Sequence, residues 1–182
     1  MAKNRVFIIV DGSNFYYRLK ELKIKNQLNF DFGGFAKYLS GGNNSAGKSY
    51  YVGAVRENTR SRKSHQLMID QHRLIGRLIK AGFRVELGYL LKSGGKYHEK
   101  GVDVKMAMDI LVGAYEEKYD IVYLISSDTD LLPVIDKVRS MKKKVVYVGF
   151  SHKPSYALIK HSSERILLRL EDVKKFVKKK SK

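Results

Sequence analysis

The chain has 182 residues, 43% hydrophobic and 30% charged, with 36 Lys and Arg against 18 Asp and Glu, a net charge of +18. That length suggests one domain with room for a useful core, and the composition excludes global disorder. With no cysteine, disulfide scaffolds, thiolate zinc sites, Fe–S clusters and cysteine nucleophiles are excluded.

In chain order, Val6–Val10 is a continuous apolar, β-branched run that suits a strand buried on both faces. It runs straight into Asp11-Gly12-Ser13-Asn14 with no small-residue cleavage pattern, so it reads as a strand and not as a signal peptide. Asn14 to about Leu22 reads as helix, and Phe30–Leu39 as a shorter one. Residues 40–48 read as a flexible polar loop. Ser49–Val55 is a second strand. His65–Ala81 is an imperfectly spaced helix through Leu67, Met68, Leu74, Ile75, Leu78 and Ile79, with Gly82 at the position that ends helices.

Phe83–Leu91 reads as strand, and Lys92–Gly101 as a Gly- and Lys-rich loop. Val102 to about Tyr115 reads as helix through Val104, Met108, Leu111 and Val112. Ile121–Ile125 is a fourth strand. Leu131–Met141 is a helix whose first turn tolerates Pro133. Lys144–Gly149 is a strand, Ser155–Lys160 a short helix and Arg165–Leu170 an edge strand. Val173–Lys182, with six lysines, reads as a frayed basic tail. Alternating strands and helices imply right-handed crossovers and an α/β fold around a central, mostly parallel sheet. Ligands of such sheets bind beyond the carboxyl ends of the strands.

The charge is uneven. Residues 101–142 hold 5 basic and 8 acidic side chains, and the remainder of the chain is strongly basic. A cationic surface favours polyanions, nucleic acid above all. Asp11 follows the first strand, Asp128 and Asp130 follow the fourth, and Asp103 opens the helix after the strand near Phe83–Leu91. If the first and fourth strands are neighbours, these carboxylates converge. Crowded carboxylates repel one another and a cation relieves them. Oxygen-only ligands suit Mg²⁺ or Mn²⁺, the ions of phosphodiester hydrolysis. Each Asp can also serve as a helix cap; several on one sheet edge favour the functional reading. Asp109, six residues past Asp103, faces another direction on a regular helix, and both a site role and a structural role stay open for it.

Arg56, Arg60, Arg62 and Lys63 follow the second strand on the expected site edge, and Lys92, Lys96 and Lys100 flank the approach to Asp103. These can contact phosphates, or they belong to solvated loops. Tyr16, Tyr17, Tyr50, Tyr51, Tyr89 and Tyr97 can stack on unpaired bases, although most of the 12 tyrosines are expected in the core. The five histidines lack metal-ligand spacing.

Three motifs, Asp11-Gly12-Ser13-Asn14, Lys100-Gly101-Val102-Asp103-Val104 and Ser126-Ser127-Asp128-Thr129-Asp130, resemble the NYN domain family of PIN-like nucleases, most of all its LabA-like bacterial branch. The resemblance covers about residues 5–168. It implies a Rossmann-like three-layer sandwich and a metal-dependent ribonuclease site. It implies that Asp11, Asp103 and Asp128 bind metal, that Asp130 is a fourth acid, and that Asn14 supports the first aspartate. Ser126 and Ser127 match small polar residues beside the third acid, and Asp109 matches an acid of the helix. Residues 1–170 are then the nuclease domain and 171–182 the basic tail.

The expectation is a cytoplasmic Mg²⁺- or Mn²⁺-dependent endoribonuclease. RNA is its partner, with single-stranded DNA as a second substrate class and homodimer formation open; no membrane partner is expected. The alternative is a regulatory nucleic-acid-binding module without turnover. A phosphatase of the haloacid-dehalogenase type wants a second Asp where Ser13 stands, and a dinucleotide oxidoreductase wants a Gly-x-Gly-x-x-Gly that is absent after Val10.

Overall fold

Val6, Ile8, Ile9 and Val10 are all buried, which only a strand covered on both faces permits. In the computed structural model, which describes residues 3–24, 27–54, 62–93 and 96–177, this strand is β1 (Arg5–Asp11). The remaining elements follow in order: α1 (Gly12–Glu21), α2 (Phe32–Ser40), β2 (Asn44–Val52), α3 (Arg62–Lys80), β3 (Arg84–Leu87), β4 (Tyr89–Ser93), β5 (Lys96–Lys100) and α4 (Val102–Tyr115). They end with β6 (Ile121–Ile125), α5 (Leu132–Ser140), β7 (Lys144–Phe150), α6 (Tyr156–His161), β8 (Glu164–Leu168) and α7 (Leu170–Lys174).

Six strands form one sheet in the order β3-β2-β1-β6-β7-β8, every pair parallel. The alternation of a strand divides the core in two. Ile8 and Val10 face Phe15, Leu19, Phe35 and Leu78, on the side of α1, α2 and α3. Ile9 faces Met106, Ile110, Ile135 and Leu158, on the side of α4, α5 and α6. The three-layer α/β architecture is as expected, and the first and fourth expected strands, β1 and β6, are paired from Val6↔Ile121 to Val10↔Ile125. Chain order reverses between them, so the switch point of the sheet lies at their carboxyl ends. Among the described residues, no helix is long and apolar enough to cross a membrane.

Five expectations are corrected. Residues 44–48, read as loop, are the first half of β2, paired to β1 across a bulge that takes the register from Val6↔Ser45 to Phe7↔Gly47. The first three residues of β2 are exposed, and Asn44-Ser45-Ala46-Gly47-Lys48 carries no large apolar side chain to mark this half of the strand.

The expected strand Phe83–Leu91 breaks at Gly88, whose N–H donates to the Val52 carbonyl at 3.0 Å. Beyond it the end of that strand and the expected loop Lys92–Gly101 supply the antiparallel pair β4 and β5, outside the main sheet and paired from Tyr89↔Lys100 to Ser93↔Lys96.

The apolar stripe of α4 faces the other way. Met106, Ile110 and Ala114 are buried, whereas Val104, Met108 and Val112 are exposed. This helix is apolar nearly all round, so periodicity does not select the buried face.

The tail, expected to fray from Val173, is docked through Val177. Val173 is buried, and the Phe176 carbonyl accepts from Asp31 N–H at 2.7 Å. The Phe176 ring sits 5.3 Å from Phe35 and 5.6 Å from Tyr38, between centroids. Removing this half-buried ring loses contact area and opens a void, so Phe176→Ala costs about 2 kcal/mol, a fall of about 4–8 °C in unfolding temperature. An unchanged Tm would show that the docking adds nothing.

Candidate active site

At the end of β1 the chain turns directly into α1. Asp11 caps that helix: Asn14 N–H donates to its Oδ1 at 3.0 Å. Ser126, just past β6, donates its hydroxyl to Asp11 Oδ2 at 2.9 Å. Asp11 and Ser126 continue the Ile9 and Leu124 side of their strands, so both lean toward α4. The Ser126 oxygen also accepts from Asp128 N–H at 3.1 Å, and Asp128 Oδ1 accepts from Asp130 N–H at 2.9 Å as it caps the short 3₁₀ turn Thr129–Leu131. The capping roles open to Asp11 and Asp128 are therefore real, and they coexist with a shared site. Hydrogen bonds fix the orientation of both carboxylates without adding a positive charge.

A cleft of about 390 Å³ brings the elements together. It is lined by Asp11, Ser13, Asn14 and Tyr17 from β1 and α1, Lys100 and Gly101 from the hairpin's end, Val102 and Asp103 from α4, and Asp128 after β6. Gly101 precedes α4 with φ +86°, and no side chain caps this helix, so Asp103 in its first turn answers its N-terminal dipole.

Burial pushes the Asp11 carboxyl above its usual range. The Asn14 and Ser126 donors oppose this, and the Asp103 and Asp128 charges add to it. Asp103 is raised as well, by desolvation first and then by Asp128 and Asp130. The four acids therefore form one electrostatic group.

An acid raised in the folded state holds its proton more tightly there than in the unfolded chain. Stability thus falls as pH rises through the folded pKa and stays lower above it. Asp11→Asn, measured in EDTA, should accordingly unfold about 2–6 °C higher than the parent at pH 7. The gap should close as pH falls through the raised Asp11 pKa toward the ordinary carboxylate range. A variant less stable than the parent at pH 7 contradicts this.

The donor set is oxygen only and negatively charged, which matches a hard divalent cation. Among the described residues no group of three or more Asp, Glu or His side chains is already gathered closely enough to hold an ion. The fit is one of donor chemistry and shared repulsion: Asp11, Asp103 and Asp128 line one cleft, and the charges of the group raise the Asp11 and Asp103 carboxyls, without forming a closed shell.

Ser127 and Asp130 do not line the cleft, and Asp130 acts on Asp103 through its charge. Of the two roles left open for Asp109, the structure places its side chain in a structural one, away from the cleft. Its Oδ2 accepts from the Tyr51 hydroxyl at 2.6 Å and from Arg84 at 2.5 Å, in a separate cavity of about 270 Å³. Arg62 is exposed at the start of α3. Arg56 and Arg60 lie outside the described residues, as do the side chains of Lys63, Lys92, Lys96, Tyr97 and His98. Ser13, to which the first motif gave no site role of its own, also lines the cleft.

No curated protein matches the chain. Among solved structures, a protein of unknown function from Vibrio parahaemolyticus is 25% identical, with a TM-score of 0.66 over 91% of this chain and 93% of that one. The bacteriophage T5 D15 flap endonuclease, solved with DNA and metal ions, is a much looser likeness. It is 16% identical, with a TM-score of 0.47 over 86% of this chain and 60% of that one, too distant to carry activity or substrate. The NYN domain pattern matches residues 5–169, from the start of β1 to the residue after β8. By that match over most of its length, the chain belongs to the NYN domain family.

Proposed function

We propose that this protein is a metal-dependent nuclease that hydrolyses RNA at the cleft. The observation that carries the reading is the meeting of Asp11, Asp103 and Asp128, from three separate elements, at the switch point of the sheet. These three would hold Mg²⁺ or Mn²⁺. A bound divalent ion lowers the pKa of a coordinated water and takes up charge developing on a phosphate.

The chain's own groups set the stage for that chemistry. Asn14 N–H and the Ser126 hydroxyl hold both oxygens of Asp11 in place. The Ser126 oxygen ties Asp128 N–H to the same point. Lys100 brings a positive charge to a cleft whose other charged lining residues are acids, where it can meet a phosphate. Asp130, outside the cleft, adds negative potential. The choice of RNA over DNA rests on the resemblance of the three motifs, and the +18 charge supports either polyanion.

Labelled RNA and DNA of one sequence, incubated with the protein and Mn²⁺, test the substrate class. The expected result is RNA cut and DNA spared. Cutting of DNA alone overturns the RNA assignment. Binding without turnover is the second reading, favoured by the incomplete gathering of the acids. It predicts salt-dependent binding and both strands left whole.

A further inference from the structure

One exposed aromatic ring lines the cleft and a second lies against its wall. Tyr17 is 62% exposed and lines the cleft beside Asp11 and Lys100. Tyr16, its neighbour on α1, meets it edge-on with centroids 5.7 Å apart and planes at 76°. From the hairpin comes Tyr89, 64% exposed. Its ring lies against Gly101, itself a wall of the cleft: a Cβ on Gly101 would fall 2.5 Å from Tyr89 Cε1. The two tyrosines of β2, Tyr50 and Tyr51, are buried and offer no face to a ligand.

Exposure alone does not mark a ring for binding, since Tyr115 and Tyr156 are exposed as well; Tyr17 and Tyr89 differ in position, one lining the cleft and the other lying against its Gly101 wall. A cleft lined by carboxylates repels phosphates except where cations stand, but it does not repel the neutral faces of bases. Bases within a duplex are already stacked on one another; only unpaired bases have faces free for a protein ring.

We propose that Tyr17 and Tyr89 are stacking platforms for unpaired bases on a strand crossing the acidic cleft, so that the site takes single-stranded nucleic acid and disfavours duplex. The inference rests on the nuclease reading for its location but makes a separate claim about binding.

The test is fluorescence anisotropy in EDTA, where no cleavage intervenes. The probes are single strands of about 12 nucleotides, a length within the range one binding surface covers: RNA, DNA, an abasic strand of equal charge, and the matching duplex. The parent protein should bind base-bearing single strands about 10-fold or more tighter than the abasic strand. Tyr17→Ala and Tyr89→Leu should each weaken base-bearing strands by about 5-fold or more and leave the abasic strand unchanged. Tyr17→Phe, which keeps the ring, should bind like the parent. Stronger binding of RNA than of DNA names RNA as the source of the bases, and equal binding admits both; each result supports stacking.

Equal affinity of parent and Tyr17→Ala for base-bearing strands overturns the proposal, as does tighter binding of duplex or no binding by a folded parent. Cleavage is read separately, beside Asp128→Asn. Stacking without cleavage would sink the nuclease reading alone, and cleavage indifferent to Tyr17 and Tyr89 would sink this inference alone.

Discussion

Asp128→Asn is expected to lower RNA cleavage by about 10²–10⁴-fold while leaving the fold intact. Asp128 Oδ1 accepts the Asp130 N–H at 2.9 Å, and its own N–H is held by Ser126. Asparagine keeps an acceptor at the same position and is itself a good capping residue, so the turn survives. What disappears is one negative charge of the group that would bind the cation. Losing a charged ligand at a site that stabilises phosphate charge is worth several kcal/mol of barrier, and each 1.36 kcal/mol is tenfold in rate.

Asp109→Asn is the informative control, because its carboxylate serves Tyr51 and Arg84 away from the cleft. It should cost stability and leave the rate within about 3-fold of the parent, as for other changes outside a site. Rates measured on both variants, with their unfolding temperatures, separate charge from fold. Undiminished cleavage by Asp128→Asn contradicts the assignment.

The second large effect concerns Gly12, the glycine of the first motif. A Cβ there would lie 2.3 Å from Tyr50 Cε1 and 2.7 Å from the Tyr51 carbonyl oxygen. The chain leaves β1 and enters α1 against the neighbouring strand, with no room for a side chain. Tyr50 is buried, so its ring cannot swing into solvent, and the Tyr51 carbonyl is backbone. Gly12→Ala forces a shift, costing about 1–3 kcal/mol or more by overpacking, about 3–10 °C in Tm. Because Asp11 is the adjacent residue, the same shift misplaces its carboxylate, and cleavage should fall about 10-fold or more. Parallel thermal unfolding and rate measurements check both. An Ala variant with parental Tm would show that the contact relaxes freely.

The sequence made most of the sheet legible because its central strands are apolar without interruption. Val6–Val10 and Ile121–Ile125 can only be buried strands, and once they pair, Asp11 and Asp128 must share an edge. The acids were legible for the same reason: each follows a strand or opens a helix.

What stayed hidden had no hydropathic signal. The first half of β2 is polar and exposed, and its pairing with β1 is a matter of backbone hydrogen bonds. The β4–β5 hairpin is short and outside the main sheet; the Gly94-Gly95 dipeptide after the strand-like Tyr89–Leu91 is a turn signal for it. In α4 apolar residues occupy every face, so the side that meets the sheet depends on tertiary packing. The tail's lysines masked Val173 and Phe176, which dock on the aromatic cluster around Phe30 and Phe35. Asp109 was undecided because its position on α4 is set by the same packing that sequence left open. Tyr17 and Tyr89 could not be told from Tyr50 and Tyr51, since burial separates them and composition does not.

The central claim is that the cleft cuts RNA with the help of a divalent ion. Its most direct measurement incubates the purified protein with end-labelled single-stranded RNA in Mg²⁺, in Mn²⁺ and in EDTA, beside Asp128→Asn under the same conditions. The predicted result is cleavage by the parent with at least one of the ions, none in EDTA, and strongly reduced cleavage by the variant. RNA bound by the folded parent yet left whole with both ions, or cut equally well in EDTA or by the variant, would contradict it.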